Sequence, residues 1–349
     1  MKAFVVDKYK NKGALRLANV PEPELRDDDV LVRVHATAVN LLDSKVRNGE
    51  FKLILPYRPP FVLGHDVAGV VVRTGFKITR FKVGDEVYAR PRDRRIGTFA
   101  EFIAINETDV ALKPKNISME EAASIPLVGL TAWQALVEVG KVKPGQKVFI
   151  QAGSGGVGTF AIQLAKHLGA TVATTTSTRN VEFVKRLGAD AVVDYKTQDF
   201  EKVLSGYDLV LNSQEPKTLE KSLRLLRPGG LLISISGPPD PTFAKQYGLN
   251  LFLRLVVYLL SRGVRKKAKS LGVRYSFLFM RAQGQQLNEI TSLIESGVIR
   301  PIVDKVFPFE KTADALACVE TGRVKGKVVI RLGNRSVDGS NQSPPGSFG

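Results

Sequence analysis

Short runs in which apolar and polar residues alternate fill the first third of the chain. VLVRVHATAV (30–39), FVLGHDVAGVVV (61–72) and DEVYARP (85–91) carry the two-residue period of half-buried strands, with Gly, Pro and Asp clusters between them. This pattern predicts a compact β-rich lobe over residues 1–119. From residue 120 the rhythm changes. The apolar runs KVFIQAG (147–153), TVATTT (171–176), DAVVDY (190–195), YDLVLNS (207–213) and GGLLISISG (229–237) alternate with amphipathic stretches, whose helices begin near Gly156, Thr178 and Lys217. Strands and helices in this order predict βαβ units and a doubly wound parallel sheet over residues 120–282.

A variable stretch covers 238–280. It is followed by a helix pattern over 285–296, the strand-like VDKVFPF (303–309), a helix pattern over 313–320 and a last strand, KVVIRL (327–332). Residues 283–333 are therefore expected to rejoin the first lobe. The most apolar segment, 249–260, is interrupted by Asn250 and Arg254. It falls well short of the roughly 20 residues a spanning helix needs. Residues 334–349 are rich in Gly, Ser, Pro and Asn and are expected to form a disordered tail.

Gly153, Gly155 and Gly158 stand in G-x-G-x-x-G spacing, directly after an apolar strand and at the opening of a helix. In that context the spacing is specific. The glycines allow a tight turn and close approach of backbone to a pyrophosphate, and the helix N-terminus supplies free N–H groups and partial positive charge. Ser154, Gly156 and Val157 belong to the same cofactor-binding loop. Val157, Ala161, Leu164, Ala165 and Leu168 form the helix stripe that packs on the sheet, and Gly169 ends it.

The next strand distinguishes the two nicotinamide cofactors, because an NAD site usually places an acid at its end for the ribose 2′-hydroxyl. Here the strand ends TVATTTSTRN (171–180), with no carboxylate. Ser177 offers a hydroxyl and Arg179 a guanidinium suited to a 2′-phosphate. One such charge contact at about 4 Å and an effective dielectric near 20 has a Coulomb energy of about 4 kcal/mol before desolvation, enough to select NADPH.

Composition adds three constraints. The 349 residues suffice for two lobes. The formal charge of +17 favours anionic partners without choosing among phosphates, nucleic acid and membrane. Cys318 is the only cysteine, which excludes an intramolecular disulfide and a cysteine-rich metal lobe. It shares a helical face with Ala315 and Val319 and is read as a packed thiol. With no disulfide framework to imply an oxidising compartment, a cytoplasmic location is expected, and the start, MKAFVVDKYK, enters a strand without the long apolar stretch of a signal peptide.

With these residues in view, GQKVFIQAGSGGVGTFAIQLAK (145–166) closely resembles the signature of the quinone oxidoreductase and zeta-crystallin branch of the medium-chain dehydrogenase/reductase superfamily. It departs at Phe149, where that pattern usually has leucine. The likeness continues through VNLLDSKVRNG, GHDVAGVV, GDEVYA, GTFAEF, SIPLVGLTAWQAL, YSFLFM and GKVVI, up to Leu332. It implies a GroES-like catalytic lobe built from both chain ends, a Rossmann lobe between them, a cofactor cleft at their junction and a homodimer.

The superfamily includes zinc enzymes, and a catalytic zinc needs three protein ligands. The family's first ligand position resembles Asn40 here, and no cysteine exists for another, so His65 of GHDVAG has no partner set and no zinc is expected. The resemblance places Asn40, Asp43 and Lys45 in the cleft, with Thr131 at the start of a helix near the nicotinamide. Lys45 is the expected donor to a substrate oxygen and Tyr57 a second one. Ser236, Phe277 and Phe279 are assigned to the cofactor pocket and its wall.

Without a Lewis acid, a conjugated acceptor is the easier substrate. Hydride adds to its β carbon, charge spreads into an enolate, and the protein supplies orientation and hydrogen bonds. A small enone, enal or quinone is expected. Two other readings stay open: an NADPH-binding protein that acts on nucleic acid through its basic surface, although no RNA-binding module is visible, and peripheral membrane contact through 249–274. The resemblance favours a pocket-side or dimer helix followed by a solvated basic turn at 249–274. A zinc-type alcohol dehydrogenase is the least favoured alternative.

Overall fold

The computed structural model describes residues 1–9, 15–214 and 216–333; the tail expected at 334–349 lies outside the described residues. The six strands of the middle region form one parallel sheet. In chain order they are Lys147–Ile150, Thr171–Thr176, Ala191–Asp194, Tyr207–Asn212, Leu226–Ser234 and Arg274–Phe277, and their order across the sheet is third, second, first, fourth, fifth, sixth. That is the doubly wound Rossmann order, with its switch point beside the first strand.

The inner strands bury both faces, as parallel sheets require, while the edge strands Ala191–Asp194 and Arg274–Phe277 are only partly covered. Val148 and Ile150 point into a core shared with Leu130, Phe160 and Leu164. Phe149 points the other way, into a core with Val210, Leu223 and Leu232, where its ring lies 5.3 Å from that of Phe200 and 6.0 Å from Tyr207. The substitution that departs from the family pattern thus fills space among two further aromatics.

The chain ends meet in a second, mixed sheet. Lys327–Arg331 runs antiparallel to Asp29–Val39, with Val328 opposite Val39, and Val303–Pro308 lies parallel to it on the outside. Val67–Thr74, Glu86–Ala89 and Val110–Leu112 continue the sheet on the other side, and Phe102–Asn106 also pairs with Asp29–Val39. This is the GroES-like lobe, with its own core around Val32, Val71, Phe99 and Ile330. Cys318 packs half-buried against that core. The lobes are stitched by Tyr88, which is fully buried and whose hydroxyl donates to Leu287 O at 2.7 Å in the helix Gly284–Glu295.

The variable stretch folds into the helices Pro241–Gln246, Leu251–Leu260 and Arg262–Ser270 before the sixth strand. Asp240 and Asn250 cap the first two, accepting from Phe243 N at 2.8 Å and Leu253 N at 2.9 Å. Of the expected pocket-side or dimer helix followed by a solvated basic turn, the pocket-side alternative is corrected, since Leu251, Phe252, Leu255 and Leu259 are exposed and none lines the cleft, and the basic turn is itself the helix Arg262–Ser270. Among the described residues no helix is long and apolar enough to cross a membrane.

Candidate active site

The glycine loop joins the first Rossmann strand to the helix Gly156–His167. Gly155 is its extended N-cap and no side chain caps it, so the first-turn amides are left for an anion. A Cβ on Gly158 would sit 2.3 Å from Ala152 O, and one on Gly153 would sit 2.2 Å from Thr174 Oγ1, so both positions require glycine for the turn to close. Gly155, Gly156, Val157 and Gly158 line a cleft of about 500 Å³ between the lobes, a size suited to a small-molecule or cofactor site. The catalytic lobe reaches the same loop, because Gly326 N donates to Ser154 O at 2.9 Å.

Ser154, Ser177 and Arg179 lie next to the cleft but are not part of its lining. Ser154 Oγ accepts from Thr176 Oγ1 at 3.0 Å and from Asn180 Nδ2 at 3.2 Å. Ser177 precedes the short turn Thr178–Asn180, and the exposed Arg179 donates through Nη2 to Arg323 O at 3.1 Å. The next basic residue on that segment, Lys325, has its Nζ 5.9 Å from the centre of the Phe183 ring. Arg323 and Lys325 come from the returning end of the chain. Adjacency in sequence could not bring them here; only the fold sets the Arg323 carbonyl against Arg179 and the Lys325 ammonium near the Phe183 ring.

The floor of the cleft is a buried polar network. Asp66 Oδ1 accepts from Leu127 N at 2.7 Å, and its Oδ2 accepts from Asn40 Nδ2 at 2.9 Å and from Lys327 Nζ at 3.1 Å. Lys327 also donates to Asn40 Oδ1 and is only 5% exposed. Asn40 N donates to Asp43 Oδ2 at 2.7 Å, and Asp43 Oδ1 is 2.6 Å from His65 Nδ1. Both of the last two side chains are fully buried.

These residues do not fit a catalytic zinc. The carboxylate of Asp66 and the amide oxygen of Asn40 are held by an ammonium, and His65 is turned to Asp43. Among the described residues no group of three or more His, Cys, Asp or Glu converges as a metal site. Lys327 was not singled out from the sequence. The signal was faint, a lysine opening the otherwise apolar strand KVVI.

Lys45, from the helix Leu41–Asn48, lines the cleft with Asn40, Thr131 and Ser236. Thr131 is not at a helix start as expected. Pro126 opens that helix at the position where a missing N–H costs nothing, so Thr131 falls inside Pro126–Trp133, and its Oγ1 donates to Leu127 O at 2.7 Å. Phe51, Phe277 and Phe279 form an apolar wall, with Phe51 and Phe279 packed edge to face at 6.1 Å.

Tyr57 is not brought to the cleft. Its ring stacks on Phe61 at 5.2 Å and its hydroxyl accepts from Arg94 N at 3.2 Å. Burial pushes that phenol up to about 12, which opposes rather than assists proton release.

Comparison with known proteins agrees with this architecture. Residues 26–115 match the alcohol dehydrogenase GroES-like domain family, and residues 187–330 match the zinc-binding dehydrogenase family, whose metal the present residues do not fit. The human mitochondrial NAD(P)H oxidoreductase RTN4IP1 is 35% identical over 95% of this chain and 89% of its own. The chloroplastic NADPH-dependent alkenal/one oxidoreductase of Arabidopsis thaliana is 35% identical over 95% of this chain and 79% of its own. The solved quinone oxidoreductase of Coxiella burnetii superposes with a TM-score of 0.84 at 30% identity, over 95% of this chain and 99% of that one.

The cytoplasmic location expected from cysteine content and the chain start is corrected, because the two relatives just named are mitochondrial and chloroplastic. The chain belongs to the medium-chain dehydrogenase/reductase superfamily, in its zinc-independent quinone-oxidoreductase branch.

Proposed function

We propose that this NADPH-linked oxidoreductase reduces a small conjugated carbonyl compound, an enone, enal or quinone, in the cleft between its lobes. The observation that carries the reading is the floor of that cleft. A buried ammonium, Lys327, is held by Asn40 and Asp66 beneath an apolar wall of phenylalanines, so cation and apolar surface face one cavity.

When bound, NADPH supplies the hydride. The uncapped amides of the glycine loop would hold its pyrophosphate, and Ser177 and Arg179 its 2′-phosphate. Phe51, Phe277 and Phe279 exclude water from the reacting end. Lys45 donates a hydrogen bond to the substrate oxygen, where negative charge develops as the β carbon is reduced. Lys327 has three donors, of which Asn40 and Asp66 take two, and its charge adds to the field at the same oxygen. A solvent proton completes the product.

A homodimer fits this reading, because the sixth Rossmann strand, Arg274–Phe277, has an outer edge with no partner strand among the described residues.

The test is an NADPH-oxidation screen across short enals, cyclic enones, quinones and plain ketones, with product analysis to locate the new C–H bond. Turnover of at least one conjugated class, a clear preference over plain ketones, and loss of turnover in Lys45→Met with NADPH binding intact are expected. Turnover of plain ketones alone would remove the reading. Unchanged turnover in the Lys45 variant would remove that residue from it.

A further inference from the structure

Residues 241–280 contain eight Lys or Arg and no Asp or Glu, so 40 of the 349 residues carry +8 of the formal +17. Among the described residues none of the eight is ion-paired. Arg254 and Arg265 donate instead to the backbone oxygens of Leu249 and Tyr258. The charge therefore stands unneutralised on one segment.

The helix at its centre is turned inside out. A surface helix ordinarily hides its apolar stripe and shows its polar face. In Leu251–Leu260 the one fully buried side chain is Val257, while Leu251, Phe252, Leu255, Tyr258 and Leu259, at spacings that share a helical face, are all exposed. Leu251 and Phe252 are 81% and 71% exposed. An apolar patch of this kind rimmed by polar residues marks an interaction site.

The basic helix Arg262–Ser270 follows at once, and its hydrogen bonds run almost unbroken across the joint, from Ser261 N to Val257 O at 3.1 Å and from Arg265 N to Ser261 O at 3.0 Å. Arg262, Lys266, Lys267 and Lys269 are exposed on it. Bulky apolar side chains and free cations thus share one surface.

We propose that these two helices dock the protein peripherally on an anionic lipid bilayer. The apolar face of Leu251–Leu260 enters the acyl boundary, and the cations of Arg262–Ser270 lie at the phosphate level. Neither helix is long enough to span, so the pair rests in the plane of the interface. Charge decides against the other occupants. A second copy laid on these two helices would set the exposed cations Arg262, Lys266, Lys267 and Lys269 against their own counterparts, whereas pairing at the edge strand Arg274–Phe277 would leave the helices free, and a nucleic acid would meet the cations but leave the five apolar side chains in water.

The experiment is co-sedimentation of the purified full chain with vesicles of phosphatidylcholine alone and of phosphatidylcholine containing one third phosphatidylserine. Two variants accompany it, Phe252→Asp with Leu255→Asp, and Lys266→Glu with Lys267→Glu and Lys269→Glu. Each changes only exposed side chains, and unchanged NADPH affinity and melting temperature confirm that the fold is intact. The native chain is expected to pellet with the anionic vesicles and not with the neutral ones, and high salt is expected to weaken the association. Both variants lose it, the charge variant by roughly 100-fold or more.

Failure to bind anionic vesicles, or equal binding by all three proteins, overturns the proposal. So does a native dimer that Phe252→Asp with Leu255→Asp converts to a monomer while no vesicle binding is seen. Salt-sensitive binding to nucleic acid without any to vesicles overturns it in favour of the basic surface alone.

Discussion

Lys327 shows how much one buried side chain sets the energetics of its neighbours. Removing its charge leaves Asp66 as an unpaired carboxylate in a closed site, a change that typically costs about 3–5 kcal/mol. Lys327→Met should therefore destabilise the protein strongly in urea unfolding. Asp66→Asn in the same background should recover a large part of the loss, because it removes the stranded charge rather than adding a contact. Independent, additive losses would show that the two side chains are not coupled.

A second residue-scale prediction concerns acid. Asp29 is buried, which alone would raise its carboxyl, but the Arg95 guanidinium at 2.7 and 2.6 Å, with Arg26 N, outweighs burial and holds it below the usual carboxylate range. A group depressed in the folded state contributes stability above its unfolded pKa of about 3.9 and loses it as pH falls through the lower folded value. Asp29→Asn should flatten the acid side of the stability–pH curve in that window. A curve of unchanged shape would contradict this.

Among the elements, the turn between the first Rossmann strand and its helix has the least tolerance. A Cβ at position 158 meets two backbone groups, Ala152 O at 2.3 Å and Gly153 Cα at 2.7 Å, and neither can swing aside as a side-chain tip would. Gly158→Ala should thus abolish NADPH binding or lower stability by roughly 2 kcal/mol, read by cofactor fluorescence and thermal melting together. Neither change would show that the loop has slack.

That turn was legible in the sequence because its requirements are local, namely three glycines between an apolar strand and an amphipathic stripe. The five long-patterned strands were legible for the same reason. The sixth, Arg274–Phe277, was hidden because it follows a cationic helix and none of its residues is buried, so it lacks the apolar run that marks the others. Thr131 was misplaced within its helix because Pro126 marks the start and carries no apolar periodicity. The association of Lys327 with Asn40, 287 residues apart, depends on a strand from one chain end pairing beside the other and is invisible to any window along the chain.

At the scale of the whole molecule, the cleft belongs to neither lobe alone. The glycine loop and Arg179 come from the Rossmann lobe, and the segment holding Arg323, Gly326 and Lys327 comes from the returning chain end, with contacts from Arg179 to Arg323 O and from Gly326 to Ser154 O already spanning the junction. A dinucleotide that fills this seam binds only the assembled state, so it must stabilise both lobes together. At 100 times its dissociation constant the gain is about 2.7 kcal/mol, which should appear as one cooperative upward shift in thermal melting.

NADPH should shift the melt at much lower concentration than NADH, since the basic residues gathered at the junction favour the 2′-phosphate. In Arg179→Asp the NADPH shift should collapse to the NADH level or below, while the unliganded protein melts as before because the side chain is exposed. Equal losses for both cofactors would place Arg179 at the junction as a brace rather than as the phosphate's partner. Two separate transitions, with only one responding to NADPH, would show that the seam does not couple the lobes.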